Sequence, residues 1–178
     1  KRHDNGTERI AEALNYLDVS DEDIVVDVQG DEPLIYPETI DTLVSNFKLS
    51  SFDIMLPYIE INDTNNVNIV KISTVGKKII YMSRMDIPCP FSQDRKLKKH
   101  LSIIAFTVSA LRKYSHMKKS ELEKIESIEL LRALESGLEI GTFQESKESF
   151  SVDVIEDYHR ANRYMRDDKV YKRYRLVQ

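Results

Sequence analysis

VVDVQGDEPLI, residues 25–35, sets a β-branched apolar run directly against Gln29, Gly30, Asp31, Glu32 and Pro33. Three valines in four residues favour a pleated, half-buried strand. The glycine, the two carboxylates and the proline end it. In an open α/β sheet, ligands gather beyond the carboxyl ends of the strands. Asp31 is therefore either an ordinary turn carboxylate or an oxygen ligand for a hard divalent cation, which retains waters and bridges substrate phosphates. Glu32 points elsewhere if the chain stays extended.

Outward from this stretch, helical and strand patterns alternate. Residues 7–18 carry an apolar stripe (Ile10, Ala11, Leu14, Leu17) with Thr7 placed to cap it. PETIDTLVSNFKL, residues 37–49, opens a helix with Pro37 in its first turn. FDIMLPYIEI, residues 52–61, reads as an extended segment interrupted by Pro57, and the runs around Val75-Gly76 read as a hairpin. Residues 85–100 form a proline-broken basic loop, HLSIIAFT (100–107) a strand, and VSALRKYSHM a short helix. SELEKIESIELLRALESG, residues 120–137, reads as one long helix with Ser120 and Glu123 as a capping box and Gly137 as its stop. LEIGTFQ is a further strand, and a helix follows Asp153. The expectation is an α/β domain with a mixed sheet spanning residues 1–178, without linker or repeat.

The 178 residues suit one domain with a substantial core. A net charge of −4 argues against broad nucleic-acid binding but leaves room for a small anion in a local positive pocket. The single cysteine, Cys89, forms no intramolecular disulfide and fits a reducing, cytoplasmic setting. No apolar run is long enough to span a membrane.

Asp153, in SFSVDVIEDYH, lies between a β-like segment and a helix. It is either an N-terminal cap or a second carboxylate on one Mg²⁺, brought to Asp31 only by the fold. Residues 3–10, HDNGTERI, are a polar turn before a helix, whose amides suit anionic or nucleobase oxygens or simply start the helix. Arg84 follows a strand, either as a bidentate carboxylate clamp or as a solvated edge residue. His100 is either a ligand-facing hydrogen-bonder or a surface residue. Zinc-protease, CxxC, nucleophile-elbow, Walker and dinucleotide-loop patterns are all missing from the sequence.

Six strings together, DNGTERIAEAL, VVDVQGDEPLI, YMSRMDIPCP, HLSIIAFT, LEKIESIELLRALESG and SVDVIEDYHR, resemble the 3-deoxy-manno-octulosonate (KDO) cytidylyltransferases, or CMP-KDO synthetases, in their order along nearly the whole chain. The resemblance implies a Rossmann-like α/β nucleotidyltransferase, a three-layer sandwich with a mixed sheet. It implies transfer of CMP from CTP to the anomeric hydroxyl of an acidic keto-deoxy sugar, in a homodimer to which residues 76–108 contribute, with neither nucleic acid nor membrane as partner. By the same resemblance, Asp31 and Asp153 hold Mg²⁺, and Asn5, Gly6, Thr7 and Arg9 line the cytidine side. Gln29, Arg84, His100 and Glu126 lie on the sugar side, with Arg84 leading for the sugar carboxylate.

The sequence departs from that pattern in three places. The glycine-rich triphosphate loop and first βα portion expected near the start are not found, so the 178 residues alone are expected to be inactive or very weak. Ser102 and Ile104 stand where the family has glycine and tyrosine, and Glu129-Leu130 where it has glutamate-glutamine; both changes remove polar groups that touch a sugar. The loop between Arg84 and His100 is short. Two alternatives stay open: a non-catalytic remnant or subunit acting as a protein-interaction module through an exposed sheet edge, and a nucleotidyltransferase for another sugar acid.

Overall fold

The structure, a computed structural model, describes residues 3, 5–62, 65–89, 91, 96–152 and 154–175. Among these, seven strands form one mixed sheet: β1 (Ile24–Val28), β2 (Ile54–Ile61), β3 (Lys71–Val75), β4 (Lys78–Ser83), β5 (Leu97–His100), β6 (Ile103–Thr107) and β7 (Ile140–Gln144). Their order is β1-β6-β2-β5-β3-β4-β7, and β7 returns to pair with β2. The β2–β7 pair is parallel and the other pairings described are antiparallel. The expected mixed sheet is thus present.

The period-two alternation of side chains sorts the core into two layers. Met55 on β2 and Ile103 and Ala105 on β6 face Leu43 and Phe47 of helix α2 (Pro37–Lys48). Their neighbours Ile54, Leu56, Ile104 and Phe106 face the opposite layer. That layer holds α1 (Gly6–Ala13), α3 (Val108–Ser115), α4 (Glu121–Glu126) and α5 (Leu130–Glu135). Helices α6 (Ile155–Asp167) and α7 (Lys169–Arg175) complete the chain. On β1 the same alternation sends Val26 to the α2 side, while Asp27, directly opposite Ile104, lies on the other face. Residues 76–108 contribute β4, β5 and β6 to the common sheet.

Several local expectations are corrected. The first helix ends at Ala13, followed by a 3₁₀ turn over Leu14–Tyr16, and Asn5 rather than Thr7 caps it by accepting from Glu8 N at 2.8 Å. Pro57 does not interrupt β2. It sits between the β6 register, which ends at Met55, and the β5 register, which begins at Tyr58, where one edge asks for no N–H donor. The basic loop contains β5, and the 100–107 run is two strands broken at Leu101–Ser102. The hairpin turns at Gly76, whose φ of +57° suits glycine.

The long helix over 120–137 is two helices. The capping box of Ser120 and Glu123 is present, but Ser127 adopts φ 53°, ψ 46°, a left-handed conformation, and breaks the run. The break has local fixings: Arg84 Nε donates to Glu126 O at 2.8 Å and Arg84 Nη2 to Ser127 O at 3.2 Å. Carbonyls that would otherwise accept within a helix are taken by the guanidinium of Arg84, the residue after β4. Ile125, on α4 just before the break, is 70% exposed.

Candidate functional site

Beyond the carboxyl end of β1 lies a cleft of about 230 Å³. Gln29 and Asp31 form one wall, Arg84 and His100 another, and Ser127 and Glu129 of the helix break a third. The turn carrying Asp31 is closed by Glu32 N donating to Gln29 O at 3.2 Å. It is clipped to the segment before α6: Val152 N donates to Asp31 O at 2.8 Å, and the buried Glu32 carboxylate accepts from Ser149 Oγ and, at 3.5 Å, from Ser151 Oγ. Glu32 is therefore a structural clip. Asp153 itself lies outside the described residues.

The nucleotide-side candidates cluster at the start of α1. Asn5 caps the helix and donates from Nδ2 to the Tyr114 hydroxyl at 3.4 Å. A β-carbon on Gly6 would sit 3.9 Å from Gln29 Nε2, so this helix start abuts the Asp31 wall. Thr7 is fully buried and donates from Oγ1 to Glu129 Oε1 at 3.0 Å. Arg9 is exposed on α1. Tyr114 completes a short chain by donating to Glu129 O at 3.3 Å.

On the wall with the sugar-side candidates, Arg84 spends three N–H groups on backbone carbonyls, the third being Nη1 to Val67 O at 3.0 Å. A guanidinium has five N–H donors, so two remain, one on each terminal nitrogen. Glu126 accepts from Ser83 Oγ at 2.7 Å and from Arg84 N at 2.9 Å, so it is a partner within this wall. The His100 Nδ1 lies 3.2 Å from Leu101 O. A carbonyl only accepts, so Nδ1 carries the proton. Desolvation, reinforced by Lys99 and Arg84, holds the imidazole at about 4, against the backbone bond that favours its charged form. At neutral pH His100 is therefore uncharged, and its Nε2 is an acceptor.

Asp27 is a residue that reading the sequence missed, and Glu129 entered it only as half of the Glu129-Leu130 pair, with no place among the sugar-side residues. Glu129 lines the cleft; its Oε2 is buried with no hydrogen-bond partner, and burial raises its pKa, with Asp27 and Glu123 adding to the rise. Asp27, 5% exposed, accepts from Gln29 Nε2 at 2.8 Å; burial raises it too, and the Asp31 charge adds to the rise. A continuous helix over 120–137 carried no sign that a break at Ser127 would bring Glu129 to the cleft. Asp27 carried a signal: it is the one polar residue in the IVVDV strand.

This carboxylate-rich corner suits a hard cation chemically. The Asp31 charge acts on Asp27 and that of Asp27 on Glu129, and one buried carboxylate oxygen, Glu129 Oε2, lacks a partner. Among the described residues no group of three His, Cys, Asp or Glu side chains is arranged to hold a metal by itself. Mg²⁺ asks for less, one or two carboxylates with substrate phosphates and waters completing its shell. Nor is any helix among these residues long and apolar enough to cross a membrane.

Known proteins converge on one family. The family model described as cytidylyltransferase matches residues 1–140. A 3-deoxy-manno-octulosonate cytidylyltransferase of Nitratiruptor sp. is 34% identical over 177 residues, covering 91% of this chain and 71% of the relative. The enzyme of the same name from Thermodesulfovibrio yellowstonii is 36% identical, with 91% and 70% covered. Among solved structures, a CMP:2-keto-3-deoxy-manno-octonic acid synthetase complexed with CTP superposes with a TM-score of 0.87 at 27% identity, over 93% of this chain and 69% of that one. A thymidylyltransferase from Bacillus anthracis, with a TM-score of 0.64 at 14% identity, shares the fold alone.

Proposed function

This chain belongs to the cytidylyltransferase family, beside the 3-deoxy-manno-octulosonate enzymes, and from that premise we propose that it serves transfer of CMP from CTP to KDO or a closely related keto-deoxy sugar acid, with release of pyrophosphate. The observation that carries the reading is the cleft in which Asp31 and Gln29, at the end of β1, meet Arg84, His100 and Glu129 from the other walls. The Val152 N to Asp31 O bond ties the turn that carries Asp31 to the segment before α6.

In this reading the anomeric hydroxyl oxygen attacks the α-phosphorus, a P–O bond to the sugar forms as the hydroxyl proton passes to solvent, and the bond from the α-phosphorus to the bridging oxygen of the β-phosphate breaks to release pyrophosphate. The two remaining Arg84 N–H groups take the sugar carboxylate, a charge-assisted pairing. His100 Nε2 and Glu129 Oε2 accept sugar hydroxyl protons. Glu126 acts on the sugar side by fixing Arg84. The start of α1, Asn5 to Arg9, borders the nucleotide. Asp31 and Asp153 are the carboxylates that would hold Mg²⁺. When bound, that ion neutralises phosphate charge and lowers the proton affinity of the attacking hydroxyl.

The test is Asp31→Asn in the native full-length product, assayed by CMP-sugar formation. Loss of several kcal/mol of transition-state stabilisation, about 10³-fold in kcat/KM, is expected. Turnover at the unsubstituted level would remove Asp31 from this role. The 178 residues carry no glycine-rich triphosphate loop. We propose that by themselves they do not turn over CTP, and robust turnover by the purified 178-residue chain would refute that.

A further inference from the structure

The cleft has two unlike surfaces. Its rim is polar and rich in acceptors: Asp31, the unpartnered Glu129 Oε2 and the neutral His100. Its floor is Val70, Met82, Ile104, Ile128 and Leu130. Apart from Val70, which packs against them, these belong to the main core, with Ile104 only 4% and Leu130 1% exposed. The floor side chains offer no donor and no acceptor stronger than the Met82 thioether, and the Ile104 backbone pairs with Asp27 of β1. A ligand hydroxyl laid on this floor gives up its water and gains nothing in return. A methylene or methyl group laid there buries apolar area favourably. The cleft, at about 230 Å³, is sized for one monosaccharide.

Resting on the proposed function, we infer that the acceptor presents an apolar edge to the Ile104–Leu130 floor beyond the single deoxygenated carbon in its relatives' substrate name: a further deoxygenated carbon or a methyl terminus. Its remaining hydroxyls face the acceptor-rich rim. Ile104 and Leu130 are then the residues that set acceptor choice.

The experiment is titration calorimetry on the native full-length product with KDO and with analogues lacking one further hydroxyl, each position in turn, alongside CMP transfer to each acid. At least one analogue is expected to bind about tenfold more tightly than KDO, the lower end of what one apolar group contributes in a pocket. Leu130→Gln, and separately Ile104→Thr, which keeps a strand-compatible shape, should weaken that analogue and strengthen KDO. A merely structural role would weaken both acids together. KDO binding tightest of the series, or both variants weakening every acid equally, overturns the inference while leaving the proposed activity standing. Neither binding nor transfer with any of the acids overturns the activity and the inference with it.

Discussion

The two faces of the sheet are buried by different means. On the α2 face, Leu43, Phe47, Met55, Ile59, Leu101, Ile103 and Ala105 make a cluster of apolar side chains. The opposite face has the larger apolar cluster, and threaded through its edge is a set of buried polar groups. Arg132, 1% exposed, donates to Glu123 at 2.7 and 2.6 Å and to Glu8 at 3.1 Å, and stacks 4.7 Å from the Tyr114 ring centroid. Thr7, Tyr114, Asn5 and Glu129 continue that set to the cleft. Apolar contacts tolerate small shifts, whereas hydrogen-bonded groups fix distance and angle. The difference teaches that the α2 face supplies cohesion and the other face supplies position.

The largest test of that contrast sets Arg132→Ala against Leu43→Ala. Removing Arg132 leaves Glu123 buried without its cation, which costs about 3–5 kcal/mol. Removing the Leu43 side chain, fully buried on the other face, costs about 2–5 kcal/mol through lost burial and a cavity. Urea denaturation should thus give comparable losses. Ligand titration in the folded range should separate them, with Arg132→Ala weakening sugar-acid binding and Leu43→Ala leaving it unchanged. Equal weakening by both would erase the contrast.

How much of this was legible varies with the kind of signal. Helix α2 was readable because Pro37 and the Leu43–Phe47 spacing agree, and strand β1 because its valines end at Val28, just before Gln29-Gly30. The break at Ser127 was not, because local pattern favours a continuous helix and the groups that interrupt it come from Arg84, 43 positions away in sequence. Glu126 was named for the sugar side from family resemblance; it accepts from Arg84 N, while Glu129 lines the cleft. Convergence of Asp31, Arg84 and His100 on one cleft was named from family resemblance; spacing alone leaves each as a turn or edge residue.

A smaller effect sharpens the positional side. Ser127 holds a left-handed backbone that costs an L residue about 1 kcal/mol or more. Ser127→Gly should raise the stability of the folded chain by about 1 kcal/mol, less what glycine adds to unfolded-chain entropy. Urea midpoints at constant slope measure it. A loss of stability would mean that the Ser127 side chain, rather than the Arg84 clamp on its carbonyl, sustains the break.

The smallest expected effect concerns Asp27, the carboxylate that the β1 alternation buries on the cleft face. Asn at this position still accepts from Gln29 through its side-chain oxygen, so Asp27→Asn removes charge and little else. The folded-state pKa is raised above its ordinary 3.8, chiefly by burial, with Asp31 adding and Gln29 opposing. A carboxyl raised on folding makes the native state bind the extra proton. Its penalty is therefore absent below the unfolded value, grows as pH rises through the interval between the two values, and is complete above the folded one. The variant should melt higher at pH 7, where the charged carboxylate of the unsubstituted chain carries its full burial penalty. The gap should close as pH falls toward 3.8. Glu129 and Asp31 face the same corner, so Mg²⁺ at neutral pH should close the gap as well by supplying the missing counter-charge. A melting difference that ignores both pH and Mg²⁺ would make Asp27 a packing residue and leave the cleft corner without the electrostatic crowding that sets this face apart.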